Sequence, residues 1–414
     1  LEKERTAVSS SRSGSGAPDR SGDKDLHLLL VSRKSSWGQA VRLAGEQIGG
    51  IVSECNARDA LTRLAGVGNH YSHLLVDDGD ADGLTTALAD LTTETAEPET
   101  DMLLLGGPER KRPYPRVIRT AEPHAVQEAL MTTTPRNRSE SAVNLADLRT
   151  ALDDAMIEIR YQPIIRMADR RPVGLEALAR LAHPTLGTLL PDQFVPQLED
   201  AGLAARLTEV VSAQVFADLL SQALAATGLR VSVNFPLDVL LHRASLARLE
   251  QQRVAAGIPA DRIIIELTES QPVKDLATLR QSVEHLRGLG YGVAIDDAGP
   301  AVPRLRPMLD LPFTSVKLDK DLVKQVGASP RIKDFLAATI IDARQRALSV
   351  VAEGVETAAI WDLMLAMGTD YAQGFLAARP LPLIAVPIWL EAWNAAPGQI
   401  PAGAPGTLPP DSKA

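Results

Sequence analysis

The sequence predicts two α/β units in tandem, a doubly wound parallel sheet followed by a (β/α)8 TIM-type barrel. Three observations carry that prediction. The chain has 414 residues, which at roughly 100–200 residues per domain allows two or three domains. Short apolar runs alternate with helical patterns twice over, first on a small scale and then on a larger one. A polar break, TTTPRNRSESA over 132–142, separates the two series and reads as a linker.

In the first series LHLLLV (26–31) precedes a helical stretch over 36–48, and IVSEC leads into a helix over 57–65. YSHLLV (71–76) precedes a helix over 82–92, DMLLL (101–105) follows, and RVIRT (116–120) leads to a helix over 123–131. Apolar strands alternating with helices imply a parallel sheet covered on both faces. GGPERKRPYP (106–115) is too short and too Pro-broken for a crossover helix. In the second series strands are expected at 157–165, 174–181, 229–236, 263–270, 293–297, 315–319, 349–353 and 371–375. Helical stretches such as 191–226, 273–289 and 330–346 separate most of them. Eight strands in about 250 residues is the rhythm of a (β/α)8 barrel. The expected domains are therefore 25–131 and 145–392, joined by a linker over 132–144. Residues 1–24 are expected to be a disordered arm and 393–414 a flexible tail, on their Ser, Gly and Pro content.

Hydrophobic residues make up 45% and charged residues 23% of the chain, an ordinary globular balance. The single cysteine, Cys55, excludes a disulfide framework and a zinc site built from several thiolates, and it agrees with a reducing cytoplasm. Cys55 itself reads as a small buried hydrophobe. The net charge of −9 argues against a bulk nucleic-acid coat, though not against a locally basic ligand pocket. No DNA partner is expected. No apolar run approaches the ~18 residues that a spanning helix needs, so no membrane span is expected.

In barrels of this kind the working residues sit at the C-terminal ends of the strands. Polar residues close nearly every predicted strand: Glu176 in GLEAL, Asn234 in VSVNF, Glu266 in IIIEL, Asp296 and Asp297 in VAIDD, Lys317 in SVKLD, Glu353 in VVAEG and Gln373 in YAQGF. Charges in β-branched runs are costly to bury unless paired or bound to a cation. Singly, each has a plainer reading. Glu176 in GLEALARL suits an amphipathic helix better than a strand, the Asp pair suits a turn, and Lys317 suits a solvated edge. Together they point to a shared polar centre in the barrel mouth. Five carboxylates and an amide, with no Cys or His, form an oxygen donor set that suits Mg2+, Mn2+ or Ca2+. The adjacent Asp296 and Asp297 suggest two ions sharing a carboxylate, the arrangement of phosphoryl displacement.

The second unit resembles the EAL-domain family of bacterial cyclic di-GMP phosphodiesterases. The resemblance runs from about 145 to 392, through YQPI (161–164), EALAR (176–180), SVNF (232–235), ELTES (266–270), IDD (295–297), VKLD (316–319), VAEGVET (351–357), QGF (373–375) and RPLP (379–382). By position it implies that Glu176, Asn234, Glu266 and Asp296 hold a first metal, and that Asp296, Asp297 and Glu353 surround a second. The implied cofactors are two Mg2+ or Mn2+ ions. Lys317 matches the lysine that holds the hydrolytic water, with Glu353 as a general base and Glu176 and Asp296 counted in the catalytic set. Gln162, Leu178, Arg180, Glu356 and Gln373 match positions on the substrate side, Arg180 toward a phosphate. Glu269 matches the anchor of the loop after the Asp pair. That loop departs from the family pattern DDFGTGYSSL, reading DDAGPAVPRL over 296–305, with two prolines that fix φ.

The first unit resembles a flavodoxin-like response-regulator receiver domain in which the acid pair after the first strand is replaced by Ser32 and Arg33. Asp77 falls where the phosphoacceptor would be. The lysine before proline in the last strand is replaced by Glu122-Pro123. The resemblance implies a degenerate receiver that serves dimerisation or protein contact. The expected activity is hydrolysis of cyclic di-GMP to linear pGpG. The rivals are a cyclic di-GMP receptor with negligible turnover and a scaffold that binds no nucleotide. The expected partners are cyclic di-GMP, a second copy in a homodimer, and a protein that docks on the receiver-like unit.

Overall fold

A computed structural model describes residues 26–32, 35–48, 50–66, 71–77, 84–93, 101–106, 116–131, 144–183, 186–268, 275–300 and 305–395. The predicted arm (1–24), most of the linker and the tail beyond 395 lie outside the described residues.

The first unit runs β1 (His27–Val31), α1 (Ser35–Gln47), β2 (Ile51–Cys55), α2 (Ala57–Ala65), β3 (His73–Asp77), α3 (Thr85–Thr93), β4 (Asp101–Leu105), β5 (Arg116–Ile118) and α4 (Pro123–Met131). Its five strands are parallel, in the order β2-β1-β3-β4-β5, the doubly wound order with a switch point between β1 and β3. The leucine run in β1 is continuous because the strand is covered on both sides. Leu28 and Leu30 pack toward α1 and α4, whereas Leu29 and Val31 pack toward α2 and α3. Asn56 starts α2 by accepting the Asp59 N–H. Cys55 is half-buried rather than buried, and desolvation pushes its thiol up to about 11.

The second unit begins with α5 (Leu145–Asp153), β6 (Ile157–Arg166), β7 (Pro172–His183), β8 (Gly187–Leu189), α6 (Pro191–Asp200), α7 (Ala204–Leu220), β9 (Arg230–Pro236), α8 (Leu237–Leu241), α9 (Arg243–Ala256) and β10 (Ile263–Thr268). It continues through α10 (Leu276–Leu289), β11 (Gly292–Ala298), α11 (Leu305–Leu309), β12 (Ser315–Leu318), α12 (Lys320–Lys324), α13 (Pro330–Gln345) and β13 (Ser349–Ala352). It ends with α14 (Ala358–Ala366), β14 (Tyr371–Gln373), β15 (Leu381–Pro382) and α15 (Ala385–Ala395). The last helix thus includes Trp393 to Ala395, so the expected tail begins later than residue 393.

Eight strands close a ring in the order β6-β7-β9-β10-β11-β12-β13-β14, with β14 returning to β6 and the short β8 and β15 outside it. The ring corrects the expectation of a uniformly parallel (β/α)8 barrel, because β6 is antiparallel to both β7 and β14. The link between β6 and β7 is too short for a crossover helix and turns tightly instead. Asp169 accepts from Arg166 and from the Arg171 N–H, and Arg170 adopts φ +57°. GLEALARL is strand, not helix. Leu175, Ala177 and Leu181 on one face join the core, while Glu176, Leu178 and Arg180 share the other. The expected helix over 191–226 breaks into α6 and α7 at Gly202, whose φ is +70°. No described helix is long and apolar enough to cross a membrane.

Candidate active site

Alternation along each strand decides which side chains enter the barrel. In β9, Val231, Val233 and Phe235 lie in the core beneath the helices, so Ser232 and Asn234 point inward. In β6, Tyr161 turns outward and donates to Asp218 of α7, which turns Gln162 inward, opposite Glu176 of β7. Glu266 of β10 lies beside Asn234, Asp296 comes from β11, Lys317 from β12, and Gln373 ends β14. Glu353 follows β13 directly. The structure therefore brings Gln162, Glu176, Asn234, Glu266, Asp296, Lys317, Glu353 and Gln373 together.

Lys317 is the hub. Its ammonium, only 1% exposed, lies 3.2 Å from Glu176, 2.9 Å from Glu266, 3.1 Å from Asp296 and 2.5 Å from Glu353. One cation among three buried carboxylates and the partly buried Glu353 leaves surplus negative charge in a low dielectric. Burial pushes Glu266 up to about 8, with the attraction of Lys317 opposed by the charges of Glu176 and Asp296. Burial likewise raises Asp296 and Glu353. Glu176 is the exception. Burial raises it, but the Lys317 charge and donors from Gln373, Asn234 and Lys317 hold it below the ordinary carboxylate value. For Lys317, burial is outweighed by the four carboxylates, which hold it charged.

The donors fit hard cations. Carboxylate oxygens of Glu176, Glu266 and Asp296 lie within 4.8 Å of one another, as do those of Asp296, Asp297 and Glu353, so Asp296 belongs to both sets. Asn234 Nδ2 donates to Glu176 Oε1 at 2.9 Å, which leaves the buried Oδ1 without a hydrogen-bond partner. An amide oxygen and three carboxylates form an oxygen donor set of the kind that could hold a hard divalent cation. Asp297 takes φ +48°, a costly conformation for a residue with a Cβ, and its N–H donates to Asp296 Oδ1. Desolvation and the charge of Asp296 push its carboxyl up to about 6.

Gln373 Nε2 donates to Glu176 Oε2 at 2.6 Å and to Gln162 Oε1 at 2.9 Å, and Gln162 Nε2 donates to the Ala378 carbonyl at 3.2 Å. Because β6 is reversed, its first residues lie at the mouth. Glu158 pairs with Arg180 and Arg160 pairs with Leu178, both on the face of Gln162 and Glu176. Arg160, buried and ion-paired to Glu158, went unnoticed in the sequence. Its spacing of two from Gln162 was the available signal.

Glu356 stands apart from the Lys317 cluster and pairs with Lys324 of α12 at 2.9 Å. Glu269 and loop residues 301–304 lie outside the described residues. Asp77 is buried at the end of β3 and accepts a 3.4 Å hydrogen bond from Ser32. Among the described residues, no acidic group able to hold a metal forms around it.

A family model described as EAL domain matches residues 145–380. The cyclic di-GMP phosphodiesterase NbdA of Pseudomonas aeruginosa is 35% identical over 249 residues, covering 60% of this chain and 32% of its own length. The cyclic di-GMP phosphodiesterase RocR of the same organism is 29% identical over 247 residues, covering 58% of this chain and 61% of its own length. An uncharacterized signaling protein of Caulobacter vibrioides is 33% identical over 274 residues, covering 65% of this chain and 32% of its own length. The chain thus spans about a third of the length of two of these relatives. Among solved structures, a complex of the MucR phosphodiesterase with c-di-GMP aligns with a TM-score of 0.54 at 28% identity, covering 57% of this chain and 97% of the other.

Proposed function

Because this chain belongs to the EAL-domain family, whose model covers residues 145–380, we propose that it hydrolyses one phosphodiester bond of cyclic di-GMP to give linear pGpG. The observation that carries the reading is the ring of carboxylates around the buried Lys317, with the Asn234 Oδ1 left over for a cation. Glu176, Asn234, Glu266 and Asp296 would hold one Mg2+ or Mn2+, and Asp296, Asp297 and Glu353 the other. Such ions polarise phosphoryl oxygens and stabilise the entering and leaving oxygens of an in-line displacement.

The chain's own groups supply the rest. Lys317 stays protonated, so it acts as a fixed cation and donor toward the attacking water and the charge that develops on phosphorus, not as a base. Glu353 is held above the ordinary carboxylate range by burial and by Asp296 and Glu176, against the pull of Lys317. A carboxyl made more basic in this way suits the acceptance of a proton from water. The Arg180 guanidinium offers a fork of donors to a phosphate, with Leu178 and Gln162 on the same face of the barrel wall. Glu356 has a secondary place at most, given its pairing with Lys324. Residues 25–131 form a receiver-like domain without phosphoacceptor chemistry, which docks a protein partner or a second copy. Residues 145–392 form the catalytic domain.

The test is incubation of the full chain with cyclic di-GMP and Mg2+ or Mn2+, reading binding and linear product together. Product with the metal and none with chelator is expected. Binding without product at high protein concentration would replace this reading with that of a cyclic di-GMP receptor, which the altered DDAGPAVPRL segment favours.

A further inference from the structure

We infer that the carboxyl end of α2, in the first unit, positions Gln162 in the candidate site through a single peptide group. The inference rests on the reading of that site as a cyclic di-GMP site. The Arg379 N–H donates to the carbonyl of Ala65, the last residue of α2, at 3.0 Å. The Ala378 carbonyl accepts from Gln162 Nε2 at 3.2 Å. These two groups are the opposite ends of one planar peptide unit, so the orientation of one fixes the other. A hydrogen bond at the N–H also polarises the carbonyl, which strengthens its grip on Gln162. Gln162 Oε1 in turn accepts from Gln373 Nε2, which donates to Glu176. Three side-chain or peptide groups therefore separate a helix end of the first unit from a metal-ligating carboxylate.

The surroundings make this peptide a poor place for slack. The Ala65 carbonyl is one of the last carbonyls of α2, which have no partner inside the helix and carry its negative dipole end. Ala378 is fully buried, Trp389 Nε1 donates to the Ala377 carbonyl at 3.2 Å, and the Arg379 guanidinium lies 4.5 Å from the centre of the Phe375 ring. Leu61, Leu64 and Ala65 share one apolar core with Leu381, Val386 and Trp389, and Arg58 pairs with Glu391 across the seam. The barrel side thus holds the peptide's flanks, and α2 supplies the acceptor that sets its tilt. Displacing α2 frees the Gln162 amide to turn. Substrate then binds less tightly, while the carboxylates and Lys317 stay in place.

Two measurements on the full chain test this. Ala65→Glu, which forces a carboxylate into the α2 end, is expected to raise KM for cyclic di-GMP at least tenfold with kcat within threefold, whereas Ala65→Gly, which keeps the carbonyl, behaves as wild type. Unchanged KM in a folded Ala65→Glu protein overturns the inference. Should that variant not fold, amide exchange in the unmodified chain decides. Coupling between sites is reciprocal, so a hydrolysis-resistant phosphorothioate analogue of cyclic di-GMP is expected to slow exchange at Arg379 and over 61–66. Binding of the analogue with no change there overturns the α2 inference alone. No binding of either nucleotide overturns the reading of the site itself.

Discussion

Removing the ammonium of Lys317 leaves Glu176, Glu266, Asp296 and Glu353 facing one another with no internal counter-ion. Breaking a buried pair from one side typically costs about 3–5 kcal/mol. Lys317→Met in the presence of chelator is therefore expected to lose stability of that order in urea unfolding, and a change below about 1 kcal/mol would contradict the hub. The raised carboxyls also give a pH dependence. Glu266 goes from the ordinary value of 4.5 to about 8 on folding, so between those values the folded chain holds more protons than the unfolded one. Stability then falls as pH rises through that window. Asp297 and Glu353 are shifted in the same direction, while Glu176 and Lys317 do not change charge there. Unfolding with chelator at pH 6 and pH 8.5 should show the lower stability at pH 8.5; a rise instead would contradict the raised carboxyls. Most of the site was legible in the sequence, because an acid or lysine inside a run such as IIIEL or SVKLD has no cheap solitary explanation. Glu356 was named from the resemblance alone, without a strand pattern to place it, and it lies outside the Lys317 cluster, paired with Lys324.

At the level of elements, local preference and tertiary setting disagree most in β7. GLEALARL has good helix formers throughout, yet the closed ring needs an edge partner for β6 and β9, and burial on both faces decides the outcome. The reversal of β6 was readable from the short stretch before Pro172, which leaves no room for a crossover. It was missed because the eight-strand count alone suggested a parallel barrel. The joint between β13 and β14 makes a sharper claim. Gly374 has φ +156°, and a Cβ there would lie 2.3 Å from the Val355 nitrogen and carbonyl oxygen. Gly374→Ala must displace one strand end, and Gln373 with it. A loss on the order of 3 kcal/mol is expected by urea unfolding; a loss under about 0.5 kcal/mol would contradict this backbone approach.

Across the whole molecule, two separate sheets were legible from the two scales of alternation, whereas the seam between the units was not. Nothing in the sequence pairs Ala65 with Arg379 or Arg58 with Glu391, since such contacts depend on how finished surfaces meet. The first unit offers its own prediction. Asp77 is buried with Ser32 beside it, and among the described residues no acidic group able to hold a metal surrounds it; on the proposed reading, phosphoryl transfer to it is not supported. Incubation with beryllofluoride and Mg2+ should leave the spectrum and hydrolytic rate unchanged; an adduct at Asp77 would contradict this.

The proposed activity of the carboxylate ring is hydrolysis of cyclic di-GMP. Its most direct measurement is linear pGpG formed over time by wild type and Glu176→Ala, side by side with Mg2+. Steady product is expected from wild type, with a loss of at least about a thousandfold in the variant. Equal rates from the two proteins, or cyclic di-GMP bound and unconsumed by wild type, would contradict it.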